Sequence, residues 1–281
     1  MRALRQVAGA LRRVVMFACL VASSPRLAAE APDCAALAQA IDAAAGFLTD
    51  SVTPSGKMTY RQYADGRSLP DKYNLLRHAG AIYALGAVGD PAAHGPALLR
   101  AARWLHACCV QPVPGFEAIA APWWPPVHGD SRCLEAKLGG AGLALIALLE
   151  ANRLAPDTIP MQDLRKLARF LVYMQRPDGS FFSKYRPCDG GRDDRWTSLY
   201  YPGEAALALV RYARVDADPL WREAAVAALD YLARTRAGQH EVPADHWALI
   251  ATAALFEHDA ALDAPRRARL LAHVAQVAAA I

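Results

Sequence analysis

Charge is scarce in this chain. Only 21% of its 281 residues are Asp, Glu, Lys or Arg, against 54% hydrophobic, which excludes a disordered protein and suffices for one large core or two small ones. A basic surplus is missing too. The formal charge of +4 originates in the first 29 residues, which hold Arg2, Arg5, Arg12, Arg13 and Arg26 and no acid; the other 252 carry 26 basic against 27 acidic side chains. A nucleic-acid binder that neutralises phosphates needs such a surplus, so nucleic acid is not the expected partner. There is no convincing run of β alternation, no Gly-rich loop after a strand to cradle phosphate, and no Gly-x-Ser-x-Gly elbow.

The N-terminal segment has the order of an export signal. Arginines up to Arg13 precede the apolar run Val14 to Ala22, then Ser23-Ser24-Pro25 and a small-residue site near Leu27-Ala28-Ala29. Nine apolar residues are too few for a bilayer that needs about 20. The expectation is a signal peptide over 1–29, a periplasmic or secreted protein with no membrane span after cleavage, and a single domain over 30–281. Cleavage leaves Cys34, Cys108, Cys109, Cys133 and Cys188. An odd number leaves at least one thiol unpaired within the chain, and Cys133 with Cys188, both in loops, is the candidate disulfide.

The remainder alternates two kinds of helix, so the fold class expected is all-α. Long amphipathic stretches fall at about 33–49, 96–110, 160–175, 218–235 and 265–281; shorter ones, more apolar and richer in small residues, at about 75–88, 137–151, 202–214 and 245–257. Helices apolar nearly all round are buried, while those with one charged face lie outside. Inner helices wrapped by outer ones satisfy both demands. Gly139, Gly140 and Gly142 suit close helix packing. Ala45-Gly46-Phe47-Leu48, with Pro54 and Gly56, aligns at an offset of 123 with Ala168-Arg169-Phe170-Leu171, Pro177 and Gly179. Arg103-Trp104-Leu105 aligns with Asp230-Tyr231-Leu232 at 127. Such repetition implies stacked supersecondary units.

The run Phe170-Leu171-Val172-Tyr173-Met174-Gln175-Arg176-Pro177-Asp178-Gly179-Ser180-Phe181 resembles the glutamine, Asp-Gly and aromatic turn repeated in α/α-toroid proteins, which include terpenoid cyclases, prenyltransferase β-subunits and carbohydrate-active (α/α) barrels. The resemblance implies concentric helical hairpins with a site where loops leading into the inner helices converge. Nine helices fall short of the twelve of a six-hairpin barrel, so a small or incomplete toroid is expected. Asp193-Asp194 lacks the aspartate-rich surroundings used in cationic terpene cyclisation. His106 and Cys109 could offer two metal ligands without a clear third or fourth, so neither metal nor cofactor is expected.

Four loops enter the inner helices: Tyr73-Asn74-Leu75-Leu76-Arg77-His78, Glu135-Ala136-Lys137, Tyr200-Tyr201-Pro202-Gly203-Glu204 and Asp245-His246-Trp247. Asn74 and Asp245 can cap helices, and Pro202 suits a first turn. Capping does not account for Arg77, His78, Lys137 and Glu204 entering buried helices, where charges need partners. A shared polar cavity supplies them. Convergent helix N-termini with Arg77, His78 and Lys137 favour an anion, and Trp123-Trp124, Trp196, Tyr200, Tyr201 and Trp247 offer faces on which sugar rings stack. The expected ligand is therefore an acidic oligosaccharide or polysaccharide. Glu204 and Asp245 are the expected catalytic carboxylates for hydrolysis. For elimination or epimerisation, Arg77 or Lys137 would neutralise a uronate while His78, His246 or Tyr201 takes a proton. Asn74, Tyr200, Trp124 and Asp178 complete the candidate substrate-binding set. Competing readings are an ion pair of Glu204 with Arg77, histidines satisfied at helix starts, and Asp178 as a turn former. At the level of the protein they are a noncatalytic scaffold and an isoprenoid or lipid carrier.

Overall fold

The computed structural model describes residues 33–61, 63–67, 73–123, 134–257 and 262–281. The expected signal segment, Trp124 and Cys133 lie outside the described residues. Within them the protein is mainly helical: α1 (Cys34–Asp50), α2 (Leu75–Val88), α3 (Pro91–Cys109), α4 (Leu138–Leu154), α5 (Met161–Tyr173), α6 (Tyr201–Tyr212), α7 (Pro219–Arg236), α8 (His246–Phe256) and α9 (Ala264–Ala278). Short polar side chains start most of them. Asp33, Asn74, Asp90, Asp218, Asp245 and Asp263 each accept a hydrogen bond from a backbone N–H in the first turn, satisfying donors the helix itself leaves unpaired. The third helix begins five residues before the expected 96. Asp90 accepts from both Ala92 and Ala93 and Pro91 takes the first turn, so Pro96 lies inside the helix.

Beside the helices stand short strands that no run of alternation in the sequence marks. β1 (Val110–Val113) and β2 (Phe116–Pro122) form a hairpin, and β3 (Ala136–Lys137), β4 (Lys184–Arg186) and β5 (Gly191–Asp193) form a three-stranded antiparallel sheet. Most of these strands are too short to show a period of two.

The helices form two layers. α2, α4, α6 and α8 pack in succession, and α3, α5 and α7 each lie against the two that flank them, with α9 against α7 and α8. Burial follows the sequence pattern. Every residue from Leu138 to Leu148 is buried, whereas α5 buries Leu164, Leu167, Ala168, Phe170 and Leu171 along one stripe. All four inner helices begin at one end. Gly140 of α4 faces Leu76 of α2; Gly139 faces Tyr201 and Glu204 of α6; Gly203 of α6 abuts Trp247 and Ala248 of α8. The rings of Tyr83 on α2 and Trp247 on α8 approach to 5.9 Å, so the first and last inner helices also meet through side chains.

The internal repeat is structural. Isolated bridges pair Val52 with Met58 and Gln175 with Phe181, again 123 apart. Gly56 and Gly179 hold φ of +92° and +95°, and a Cβ on either would stand 2.3 Å from the carbonyl oxygen of Arg100 or 2.4 Å from that of Ala227. Each turn thus needs glycine twice, for its left-handed backbone and for its contact with the outer helix two elements on. Arg100 and Ala227 differ by 127, the second offset in the sequence.

Candidate functional site

Glu204 stands in the first turn of α6 and is 5% exposed. Its carboxyl group lies against α4 where Gly139 leaves room: a Cβ at that position would be 2.1 Å from Oε2 and 2.2 Å from the Tyr201 ring. Among the described residues Oε2 has no hydrogen-bond partner. Burial above all, and then the charge of Asp245, push the Glu204 pKa up to about 8. At neutral pH it is a carboxylic acid, able to donate. Beside it Tyr201, 7% exposed, is pushed up to about 12 by burial and by the charges of Glu204 and Glu135, so its phenol keeps its proton.

Asp245 is fully buried, and both its oxygens are engaged. Oδ1 accepts from the Ala248 N–H at 3.1 Å and Oδ2 from Arg236 Nη2 at 2.9 Å. Arg236 also donates through Nη1 to His273 Nε2 at 3.2 Å, which leaves the His273 proton on Nδ1, an atom without a partner among the described residues. Burial first, and Arg236 next, lower the His273 pKa to about 4. The network ties α7, α8 and α9 together and places a fixed negative charge within electrostatic reach of Glu204.

The three-stranded sheet supplies the cationic side of the site. Glu135 accepts from Arg186 Nε at 2.7 Å, with Lys184 Nζ at 3.5 Å and Lys137 Nζ at 3.7 Å. The Arg186 hydrogen bond and the charges of Lys184, Arg186 and Lys137 outweigh the opposing effect of burial, and hold the Glu135 carboxyl below its usual range. Lys184 also sits 5.1 Å over the ring of Trp196, which packs edge-on to Tyr201 at 5.6 Å. Tyr200, His246 and Trp247 continue the aromatic surface, with centroids 5.0 and 5.5 Å apart in succession. Tyr200 and His246 are exposed at the rim, and Trp247 leans inward to Tyr83.

The remaining candidates are placed elsewhere. Arg77 is exposed, 5.3 Å over the Tyr60 ring, and makes no ion pair with Glu204. Asn74 caps α2 through Leu76 and Arg77. His78 is buried between α2 and α3: its Nε2–H donates to the Ala101 carbonyl at 2.9 Å and its Nδ1 accepts from the Tyr73 hydroxyl at 2.6 Å. Burial lowers its pKa to about 4, the state of a satisfied core histidine. Asp178 accepts from the Ser180 N–H and hydroxyl, closing the Pro177-Asp178-Gly179 turn as a turn former. Glu135, Lys184 and Arg186 were not among the candidates. The available signal was Lys184-Tyr185-Arg186, where a period of two sends the cations to one face and the buried Tyr185 to the other.

Cys188 is disulfide-bonded and Cys34, Cys108 and Cys109 are free. His106 pairs with Asp163 at 3.0 Å, and among the described residues no group of three or more His, Cys, Asp or Glu converges on a metal position. No described helix is long and apolar enough to cross a membrane. No protein-family model matches the chain, and no curated protein is significantly similar to it.

Three buried groups give stability a pH dependence of mixed sign. His78 and His273, at about 4 against an ordinary 6.5, bind protons less readily folded than unfolded, so their contribution is complete above 6.5 and is lost as pH falls toward 4. Glu204, at about 8 against 4.5, does the reverse: its contribution is complete below 4.5 and is lost as pH rises toward 8. Thermal melts across this interval are expected to show maximal stability near pH 6.5. A curve that stays level above that point would contradict the assignment of Glu204.

Proposed function

We propose that the protein is a small α/α-toroid-type, exported enzyme that cleaves a glycosidic bond in an acidic, uronate-containing saccharide, at the end of the molecule where the inner helices begin. The observation that carries this reading is Glu204, a buried carboxyl group whose Oε2 has no hydrogen-bond partner among the described residues and whose pKa is pushed up to about 8. Strongly shifted groups of this kind mark functional sites because a general acid works best with a pKa near the working pH. Inner helices that alternate with outer ones in the chain and that all start at one end support the toroid arrangement.

Glu204 donates its proton to the leaving glycosidic oxygen as its bond to the anomeric carbon breaks; a water molecule completes that carbon, and the proton the water releases returns to the Glu204 carboxylate. Burial keeps Glu204 protonated and the charge of Asp245 adds to it; with both oxygens engaged, Asp245 does not serve as nucleophile. The cations around Glu135 attract the acidic sugar, and Trp196, Tyr200 and Trp247 offer stacking faces. An isoprenoid pocket would have no use for this many ionisable groups.

The test is incubation with uronate-containing and neutral oligosaccharides, with products followed by mass. Products that together gain one water indicate hydrolysis, and an unsaturated product indicates elimination. Intact uronate substrates throughout would overturn the enzymatic reading in favour of a noncatalytic binding protein.

A further inference from the structure

We infer that α9 is an acid-released latch: protonation of His273 turns the acceptor that Arg236 holds into a donor, and α9 then lifts from α7 and α8. The device needs no substrate and stands apart from the role given to Glu204.

α9 is lightly buried. Of its 15 residues it buries Leu270, His273 and Val277, a stripe at helical spacing, and the middle of that stripe is a titratable ring 2% exposed. Arginine can only donate, so the 3.2 Å contact between Arg236 Nη1 and His273 Nε2 requires a lone pair on Nε2. The ring proton therefore sits on Nδ1, buried and without a partner among the described residues. A second proton has one place to go, which is Nε2. There it faces the Arg236 N–H: an accepted hydrogen bond becomes two opposed donors, and a neutral ring becomes a cation against a guanidinium whose side chain is 10% exposed.

The neighbouring groups set the sense of the response. On α7, Arg236 faces the ring directly, and Asp230 accepts from Arg269 of α9 at 2.7 Å and from Arg234 at 3.0 Å. At the start of α8, Asp245 holds Arg236 Nη2 at 2.9 Å. Its charge favours a protonated ring, but burial and Arg236 outweigh it and keep the His273 pKa at about 4. Gln276 adds uncharged hydrogen bonds from α9 to the carbonyls of Arg236 and Gln239, at 2.9 and 3.0 Å. Once α9 has lifted, the ring is hydrated and titrates near its ordinary 6.5. The released helix thus binds the proton more readily than the docked one, so docking is at full strength above pH 6.5 and weakens as pH falls toward 4. From pH 7.5 to 4.5 the opening equilibrium should grow about 70-fold. The effect reaches the mouth of the inner helices. Asp245 caps α8 through the Ala248 N–H, and freeing its partner Arg236 loosens the turn that carries His246 and Trp247.

The test is amide hydrogen exchange of the full chain at pH 7.5 and 4.5, corrected for the intrinsic exchange rate at each pH. α9 is read against α4, whose run Leu138–Leu148 reports global opening, so that the second buried histidine, His78, cancels. Relative to α4, opening of α9 should rise about 70-fold at the lower pH. His273→Gln keeps an acceptor for Arg236 but does not titrate, and should hold the rise to a few-fold. Equal relative protection of α9 at both pH values in the unaltered protein would overturn the latch. So would an equal rise in His273→Gln, because the carboxylates of Asp230 and Asp245 would then be the groups that titrate. If the glutamine variant fails to hold α9 at any pH, the ring in the unaltered protein decides: its NMR titration should have a midpoint below pH 5 and coincide with the loss of α9 protection. A ring that titrates near 6.5 with α9 still protected would overturn the latch.

Discussion

At about pH 7.5, exchanging Glu204 for glutamine is expected to stabilise the protein by roughly 4 kcal/mol while lowering turnover by about 10²- to 10⁴-fold. In the unfolded chain the carboxyl group ionises near 4.5, and in the folded protein near 8. Folding at pH 7.5 must therefore return a proton to it, over three pH units at about 1.4 kcal/mol each. Glutamine fills the same space without that cost. For a domain of this size the gain corresponds to a rise of roughly 8–15 °C in melting temperature. It should shrink toward zero as pH falls below 4.5, where both states are protonated, and the descending alkaline limb of the stability curve should vanish. Opposite movement of stability and activity is the mark of a strained functional group. A glutamine variant that melts no higher at pH 7.5 would show that Glu204 is ionised or solvated.

Asp245→Ala should have the largest destabilising effect, about 3–5 kcal/mol. Removal of this carboxylate leaves Arg236, whose side chain is 10% exposed, without its counter-charge, with only the unprotonated His273 nitrogen as an acceptor in the network. The N-cap of α8 is lost as well, worth about 1 kcal/mol. Adding Arg236→Met should recover much of the loss, because the penalty lies in the stranded cation rather than in the absent pair. Denaturant melts of the two single variants and the double variant measure this directly. In whichever variant folds, the Glu204 pKa should fall, since the charge that helped raise it is gone. The alkaline limb of activity would then move to lower pH.

How much of this was visible in the chain depends on sequence distance. The helices were, because small apolar runs such as Leu138–Leu148 and the stripe Leu164, Leu167, Ala168, Leu171 each carry their own signal. So was the repeat, whose offsets of 123 and 127 reappear as paired bridges and as two glycines pressed on outer-helix carbonyls. Glu204 stood out as an acid set among glycine and alanine. Pairings across space did not show. Nothing near Asp245 in the chain announces that Arg236 and His273 will surround it, and nothing near His78 announces the Ala101 carbonyl. Lys184 and Arg186 carry only the single alternation of a three-residue strand, too short to stand out in the chain, and their partnership with Glu135 spans some fifty residues. Lys137, Glu204 and Asp245 do stand at the end where the inner helices begin, while Arg77, at the same helix end, turns to Tyr60 instead.

The most direct measurement is an NMR titration of the Glu204 side-chain carboxyl carbon in the intact protein. The account predicts a midpoint near pH 8, a descent of stability over the same interval, and loss of that descent in Glu204→Gln. A midpoint near 4.5, with Glu204 ionised throughout the neutral range, would contradict it.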